Sequence, residues 1–288
     1  MQKINEECPL CHEDNWSFLY FSTHNKFNLP IYKCNTCSLQ TIYPKDNINL
    51  EEIYSESYYN GKSEYNYKDE RKTEYYDAFV WDARIQNIKK YSKTGNFLDV
   101  GSSFGGFLSR AKQAGFDVYG VEVSKYSSDY AKNKGIETFC GSYLDNKYPD
   151  NFFDVITLIE VIEHLERPKE VFQKLFKQLR TGGLLVLQTA NFEGMQAIRE
   201  GSNYHYYLPG HLYYYSKTIL EKILINEGFS KSIMYYGVDF PLSSKLLKSR
   251  GSFKSLGDYK KWWNISKYHL QSKLIKGSTS SMVLYGIK

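Results

Sequence analysis

From residue 97 onward, apolar residues come in short continuous runs that alternate with segments of helical period. Runs at 97–100, 118–123, 137–140, 153–159, 184–189, 230–236 and 282–287 predict seven strands. Between them, 105–113, 124–133, 168–179 and 217–226 carry apolar positions three and four apart and predict helices, with Gly135 and Gly228 as stops. Such alternation pairs strands in parallel under helices on both faces, an α/β architecture. Upstream, 72–91 has helical period through Tyr75, Phe79, Ala83, Ile85 and Ile88, and 49–59 reads as a short helix. The pattern divides the chain into a small N-terminal module (1–45), a linker and helical lid (46–95) and a main domain (96–288) with a helical insertion at 240–278.

Composition adds only bounds. The 288 residues are 42% hydrophobic and 24% charged, ordinary for a globular protein. No window has the roughly 18 to 20 uninterrupted apolar residues of a membrane span, and the first residues lack a signal peptide's apolar stretch. A cytoplasmic location is expected. The net charge of +5 is modest, but 245–276 holds nine Lys or Arg against Asp258 alone, a local +8. There Tyr259, Trp263, Ser266, Leu270 and Leu274 share a helical face, so the sequence predicts an amphipathic helix with these side chains inward and lysines in solvent. The cationic face is either solvated or a dock for phosphate, a membrane surface or RNA.

The N-terminal module carries Cys8-Pro-Leu-Cys11 and Cys34-Asn-Thr-Cys37. Two such pairs suit two thiolate knuckles closing one tetrahedral site, so Cys8, Cys11, Cys34 and Cys37 are expected to bind structural zinc. Four thiolates leave no open position for chemistry. The fifth cysteine, Cys140, lies on the third strand and reads as a small buried side chain.

The main domain opens on Asp99-Val-Gly-Ser-Ser-Phe-Gly-Gly-Phe-Leu, a strand turning sharply into a helix. Gly101 and Gly105 permit that turn, and the amides at the helix start attract anions. Glu122 ends the next strand, where a carboxylate can take both hydroxyls of a ribose. Ser142 and Tyr143 follow the third strand, and Glu160, Glu163 and His164 follow the fourth. Ligands in open α/β sheets bind at these carboxyl ends.

In combination the Asp99–Leu108 turn, the Glu122 strand, Phe153-Asp-Val-Ile with Glu163-His164-Leu165, and Gly182-Gly183 resemble the class I S-adenosylmethionine-dependent methyltransferases. The cysteine module and Gly210-His-Leu-Tyr-Tyr-Tyr-Ser are similar to a subgroup associated with sugar and cell-surface polysaccharide pathways. The resemblance implies a Rossmann-like seven-stranded methyltransferase sheet with an N-terminal zinc ribbon, and S-adenosyl-L-methionine as cofactor. It puts Asp99 and Gly101 beside the methionine, Glu122 on the ribose, Ser142 and Tyr143 at adenine, and Glu160 near the sulfonium. Ser103 departs from the family's GxGxG glycine, so that residue must avoid strongly positive φ, accept strain, or bond the cofactor. A nicotinamide dehydrogenase is the competitor for the glycines alone.

The expected reaction is methyl transfer to a small molecule, an oxygen of a sugar or glycan precursor, with a nucleotide- or lipid-linked sugar as partner. A sugar hydroxyl profits from a base, and His164, His205 and His211 are the candidates. Ile159-Glu-Val-Ile stands where base-nitrogen methylation uses an Asp/Asn-Pro-Pro-aromatic turn. An RNA methyltransferase clamping through the ribbon and basic insertion, and a non-catalytic scaffold of the same fold, are the alternatives.

Overall fold

A computed structural model describes residues 4–24, 27–45 and 69–288. The cysteine module contributes β1 (Trp16–Phe21), β2 (Pro30–Cys34) and β3 (Gln40–Ile42). The helix expected at 49–59 lies outside the described residues. Next come α1 (Glu74–Ile88), β4 (Gly95–Val100), α2 (Gly106–Gln113), β5 (Phe116–Glu122), α3 (Lys125–Asn133), β6 (Glu137–Cys140) and β7 (Phe153–Ile159). They are followed by α4 (Pro168–Gln178), β8 (Leu179–Ala190), α5 (Met195–Glu200), β9 (Tyr213–Tyr214), α6 (Lys217–Glu227) and β10 (Lys231–Tyr236). The chain ends with α7 (Leu242–Ser249), α8 (Tyr259–Leu274) and β11 (Ser281–Ile287).

The large sheet has seven strands in the order β10-β11-β8-β7-β4-β5-β6. The five strands β8, β7, β4, β5 and β6 pair in parallel, while β11 lies antiparallel between β8 and β10. The strand period sends Leu98, Ile156, Leu185 and Leu187 into one buried layer. Phe97, Val155, Leu184 and Val186 enter the other. Both faces are covered, which is why these strands read as continuous apolar runs. Local chemistry sets the helix ends. Pro168 starts α4, the Ser216 hydroxyl accepts from Ile219 N–H at the start of α6, and left-handed Gly228 closes it.

The cysteine module is joined to the main sheet's loops. Its antiparallel sheet gains a fourth strand from far along the chain, β9, with Gln40 opposite Tyr214 and Thr41 opposite Tyr213. Thr41 Oγ1 donates to Leu212 O at 2.8 Å, and the hydroxyls of Tyr20 and Tyr207 lie 2.8 Å apart.

Two expectations are corrected. Cys140 is exposed, because among the described residues β6 is the outer strand of the sheet. On α8 the inward face is the reverse of the one expected: Trp263, Leu270 and Leu274 are 75%, 58% and 73% exposed. Trp262, Ile265, His269 and Ser272 turn inward instead, at spacings of three and four, with Trp262 Nε1–H donating to Ser249 Oγ at 2.9 Å. The helix packs on α7, which packs on α1, and its inner side borders a cavity to which it contributes the mixed set Ile265, Tyr268, His269 and Ser272.

One buried ion pair ties α1 to the loop after β10. The Arg84 guanidinium meets both Asp239 oxygens at 2.7–3.0 Å, and Tyr285 Oη donates to the same carboxylate at 2.6 Å. The two charged side chains are 7% and 0% exposed. Removing one partner leaves the other charge buried without compensation. Arg84→Ala is therefore expected to cost about 3–5 kcal/mol in urea denaturation. Trp263→Ala, on the open face of α8, should stay within about 0.5 kcal/mol of the native chain.

Candidate active site

The turn after β4 is held by a carboxylate. Gly101 and Gly105 both have φ of 75°. A Cβ on Gly101 would stand 2.5 Å from Val161 Cγ2, so the close approach of the loop after β7 requires glycine there. Ser103 takes the strained option foreseen for it, with φ of 49°. Its N–H donates to Glu122 Oε2 at 2.8 Å, and Ser124 N–H donates to Glu122 Oε1 at 2.9 Å. These bonds offset the strain and clasp the β4 turn to the β5 turn. Burial pushes the Glu122 pKa up, while the two amides pull it back. The hydroxyls of Ser102 and Ser103 are buried and have no hydrogen-bond partner.

A cavity of about 1480 Å³ runs from this clasp across the carboxyl ends of the strands. That exceeds the usual 300–1,000 Å³ of a small-ligand pocket, leaving room for two ligands side by side. Gly101, Ser103, Glu122 and Ser142 line one end; Glu160, His164, His205 and Tyr206 line the other. The roof is formed by Trp81 and Arg84 of α1, Lys245 of α7, and Tyr268 and His269 of α8. The basic insertion is thus a wall of the cavity.

Three sequence-predicted residues lie behind the wall. Asp99 is buried and accepts from Thr157 Oγ1 at 2.5 Å, its opposite number across the β4–β7 pairing. Gly105 faces Ile136 and Ala131 in the core. His211 is buried behind His164. Tyr143 borders the cavity, but its ring is buried and its hydroxyl donates to Gln178 Oε1 at 2.8 Å.

The acceptor end contains a tight group of titratable side chains. Glu160 adopts φ of 55° and accepts from Gln188 Nε2 at 2.6 Å. His164 Nδ1 lies 2.8 Å from Gly210 O, and His211 Nδ1 lies 3.0 Å from Tyr206 O. A carbonyl only accepts, so each ring is protonated at Nδ1 and carries its lone pair at Nε2. The rings meet edge to face at 4.7 Å. Burial lowers the His164 pKa to about 4 and drives His211 well down too, so both imidazoles are neutral at physiological pH. Glu163 is buried nearby, with no hydrogen bond of good geometry to its oxygens and with Thr189 and Glu160 as polar side-chain neighbours. His205 is separate and half exposed, with Nδ1 3.3 Å from Glu200 Oε2.

Sequence reasoning expected a helical lid and a basic helical insertion but named none of the side chains they bring to the cavity, and it named no role for Glu70. Glu70 Oε1 accepts from Gly106 N–H at 3.3 Å at the start of α2, and burial raises its pKa to about 8. Nothing local marks Trp81, Arg84, Lys245 or Tyr268, because they reach the cavity only through the packing of α1, α7 and α8. On the other side of β9 the four module cysteines cluster with all sulfurs within 4.8 Å of one another.

The chain belongs to the methyltransferase-domain family, whose pattern it matches over residues 72–231. Over 116 residues it is 28% identical to 24-methylenesterol C-methyltransferase 2 of Oryza sativa subsp. japonica, covering 37% of this chain and 32% of that protein. Over 102 residues it is 33% identical to the mitochondrial ubiquinone biosynthesis O-methyltransferase of Schizosaccharomyces pombe, covering 32% of this chain and 36% of that protein. Phosphoethanolamine N-methyltransferase 2 of Haemonchus contortus, solved in complex with S-adenosyl-L-methionine, matches with a TM-score of 0.58 at 16% identity, covering 86% of this chain and 62% of that one. At that identity the likeness is one of fold. The chain spans about half or less of the length of the first curated relatives it matches. The three names divide among carbon, oxygen and nitrogen methylation, so family membership leaves the acceptor atom open.

Asp99 offers a test of the buried turn. Burial pushes its pKa up to about 7 from the ordinary 3.8, against the Thr157 bond and the Arg84 charge. The folded chain therefore holds this proton more tightly than the unfolded one. The associated stability is whole below about 3.8 and is lost as pH rises through about 7. Asp99→Asn should accordingly lose less stability than the native chain between roughly pH 4.5 and 7.5, by on the order of 2 kcal/mol. Equal pH slopes in urea denaturation would contradict the burial argument.

Proposed function

We propose that the chain transfers the methyl group of S-adenosyl-L-methionine to an oxygen of a sugar or glycan precursor, and that its cysteine cluster holds a structural zinc. The observation that carries the reading is the continuity of one cavity from the Glu122 clasp to the His205–Tyr206 end under a lysine-bearing roof.

The cofactor, when bound, supplies a methyl group activated by positively charged sulfur. Glu122 accepts the ribose hydroxyls, its orientation already set by Ser103 and Ser124. Ser142 borders the adenine, and the unpartnered hydroxyl of Ser103, which lines the cavity, offers a hydrogen bond to the cofactor. Glu160, held by Gln188, stabilises positive charge near the sulfur. Transfer is an in-line displacement, so most of the rate comes from holding the acceptor at the right distance and angle while the roof excludes water. Tyr206 and Tyr268 suit the flat faces of a sugar ring. Lys245, whose ammonium is disfavoured by burial and then by Lys248 and Arg84, suits a phosphate or carboxylate on the acceptor. Among the described residues no helix is long and apolar enough to cross a membrane.

The cysteines fit zinc. Four sulfurs at 2.3 Å from a tetrahedral ion lie about 3.8 Å apart. Cys8 and Cys37 Sγ are 3.5 Å apart, and Cys11 and Cys34 Sγ 3.6 Å, far beyond a disulfide bond. The metal would clamp the two knuckles that flank β1 and β2, and so support the pairing of β3 with β9.

Calorimetry with S-adenosylhomocysteine tests the cofactor site: Glu122→Ala should bind at least about tenfold more weakly than the native chain, a loss of about 1.4 kcal/mol. Unchanged affinity would sink the assignment. Labelled methyl transfer to a panel of nucleotide sugars tests the acceptor, and transfer to RNA alone, with steep salt dependence, would move the reading to a nucleic-acid enzyme. Metal analysis should find one zinc per chain, lost in Cys34→Ser together with thermal stability.

A further inference from the structure

Three ligand-bearing side chains outside the cysteine cluster converge where β7 ends. Glu163 and His164 sit on the short turn Ile162–His164, and His211 comes from the segment before β9. Leu212 N–H donates to Glu163 O at 2.8 Å and fastens the two segments at this point. One ligand atom from each of the three lies within 4.8 Å of the others.

The group is electrostatically incomplete as protein alone. Glu163 is only 3% exposed, its carboxylate makes no hydrogen bond of good geometry, and its polar side-chain neighbours are Thr189 and Glu160. A buried carboxylate in that condition costs several kcal/mol unless a proton or a cation compensates it. The two imidazoles cannot relieve it while neutral, because Nδ1–H of each is committed to a backbone carbonyl. That commitment is how metal-binding histidines are oriented: the carbonyl fixes the tautomer and directs the Nε2 lone pair toward the ion.

We infer that Glu163, His164 and His211 form a second metal site, for a first-row divalent cation such as Mn²⁺, Fe²⁺ or Co²⁺, beside the acceptor end of the cavity. Two imidazole nitrogens and one carboxylate are the donor set such ions take, whereas Mg²⁺ and Ca²⁺ prefer all-oxygen shells. Ligands about 2.1 Å from one ion lie at most about 4.2 Å apart, so small side-chain rotations close the present arrangement. Three protein ligands leave positions for outside oxygens, and His164 lines the cavity. The binding of the ion stands on these residues alone. Its use rests on the proposed methyl transfer: the ion would coordinate an acceptor hydroxyl oxygen and make its proton easier to lose to water, so that the oxygen lone pair forms the new bond to carbon as the carbon–sulfur bond breaks toward sulfur.

The test uses the full chain with zinc in the cysteine cluster, titrated with Mn²⁺ and followed by electron paramagnetic resonance and thermal unfolding. The native chain should immobilise one Mn²⁺ and gain stability with its concentration, while Glu163→Gln and His211→Asn bind at least tenfold more weakly. S-adenosylhomocysteine affinity, measured in the same samples, should stay within about twofold and reports that each variant is folded. Should the variants not fold, Co²⁺ added to the native chain decides: visible bands of nitrogen and oxygen ligation support the site, and thiolate charge-transfer bands alone overturn it. Absence of Mn²⁺ binding to the native chain, or equal binding by the variants, overturns it too. If Glu163→Gln raises stability while the native chain takes no Mn²⁺, a proton occupies the site in place of a metal. Loss of S-adenosylhomocysteine binding with Mn²⁺ binding intact would fault the proposed reaction and leave the metal site standing.

Discussion

A carboxylate removed from water must find donors or a cation, and this requirement organises the carboxyl ends of the strands. Glu122 meets it with two backbone amides, and in doing so locks the turns after β4 and β5 into one piece. Asp99 meets it with the Thr157 hydroxyl beneath the same turn, and Asp239 with Arg84, Tyr285 and the anchoring of α1. Glu163 has no donor in good hydrogen-bond geometry, only Thr189 and Glu160 nearby, and one of its oxygens lies within 4.8 Å of ligand atoms of two histidines.

The second organising relation is the borrowed strand. Because β9 completes the cysteine module's sheet, the module braces the segment that carries His211 and reaches the acceptor end of the cavity. An irregular segment with few local hydrogen bonds becomes rigid when its backbone pairs with a strand and its tyrosines pack in the core. The basic insertion works from the opposite side, where α7 and α8 roof the cleft and α1 lies between them and the sheet. The cavity is thus lined in part by strand ends and in part by segments brought in across long sequence distances.

Much of the first end was legible in sequence because its signals are local. A strand that stops at Asp99-Val-Gly must turn at once, and Glu122 closes an apolar run where solvent-facing acids have no reason to be. The cysteine spacing is equally local. The inward face of α8 was misread for the opposite reason. Apolar spacing names a face, but which face turns inward is decided by what the helix packs against, and here that is α7 and the cavity wall. Cys140 was misjudged alike, since strand order, and with it the edge position of β6, is absent from the strand's own four residues.

By itself the sequence determined the seven strands, the helices between them, the glycine turn with its ribose-type acid, and the two cysteine pairs. Each depends on a periodicity or spacing within about a dozen residues, the range over which backbone geometry dictates outcome. Only the tertiary structure decided that His164 and His211 meet edge to face near Glu163, that Arg84 neutralises Asp239, and that β9 belongs to the cysteine module. Those relations join residues tens to more than a hundred and fifty positions apart, and the chain meets them only once burial has selected one packing among many.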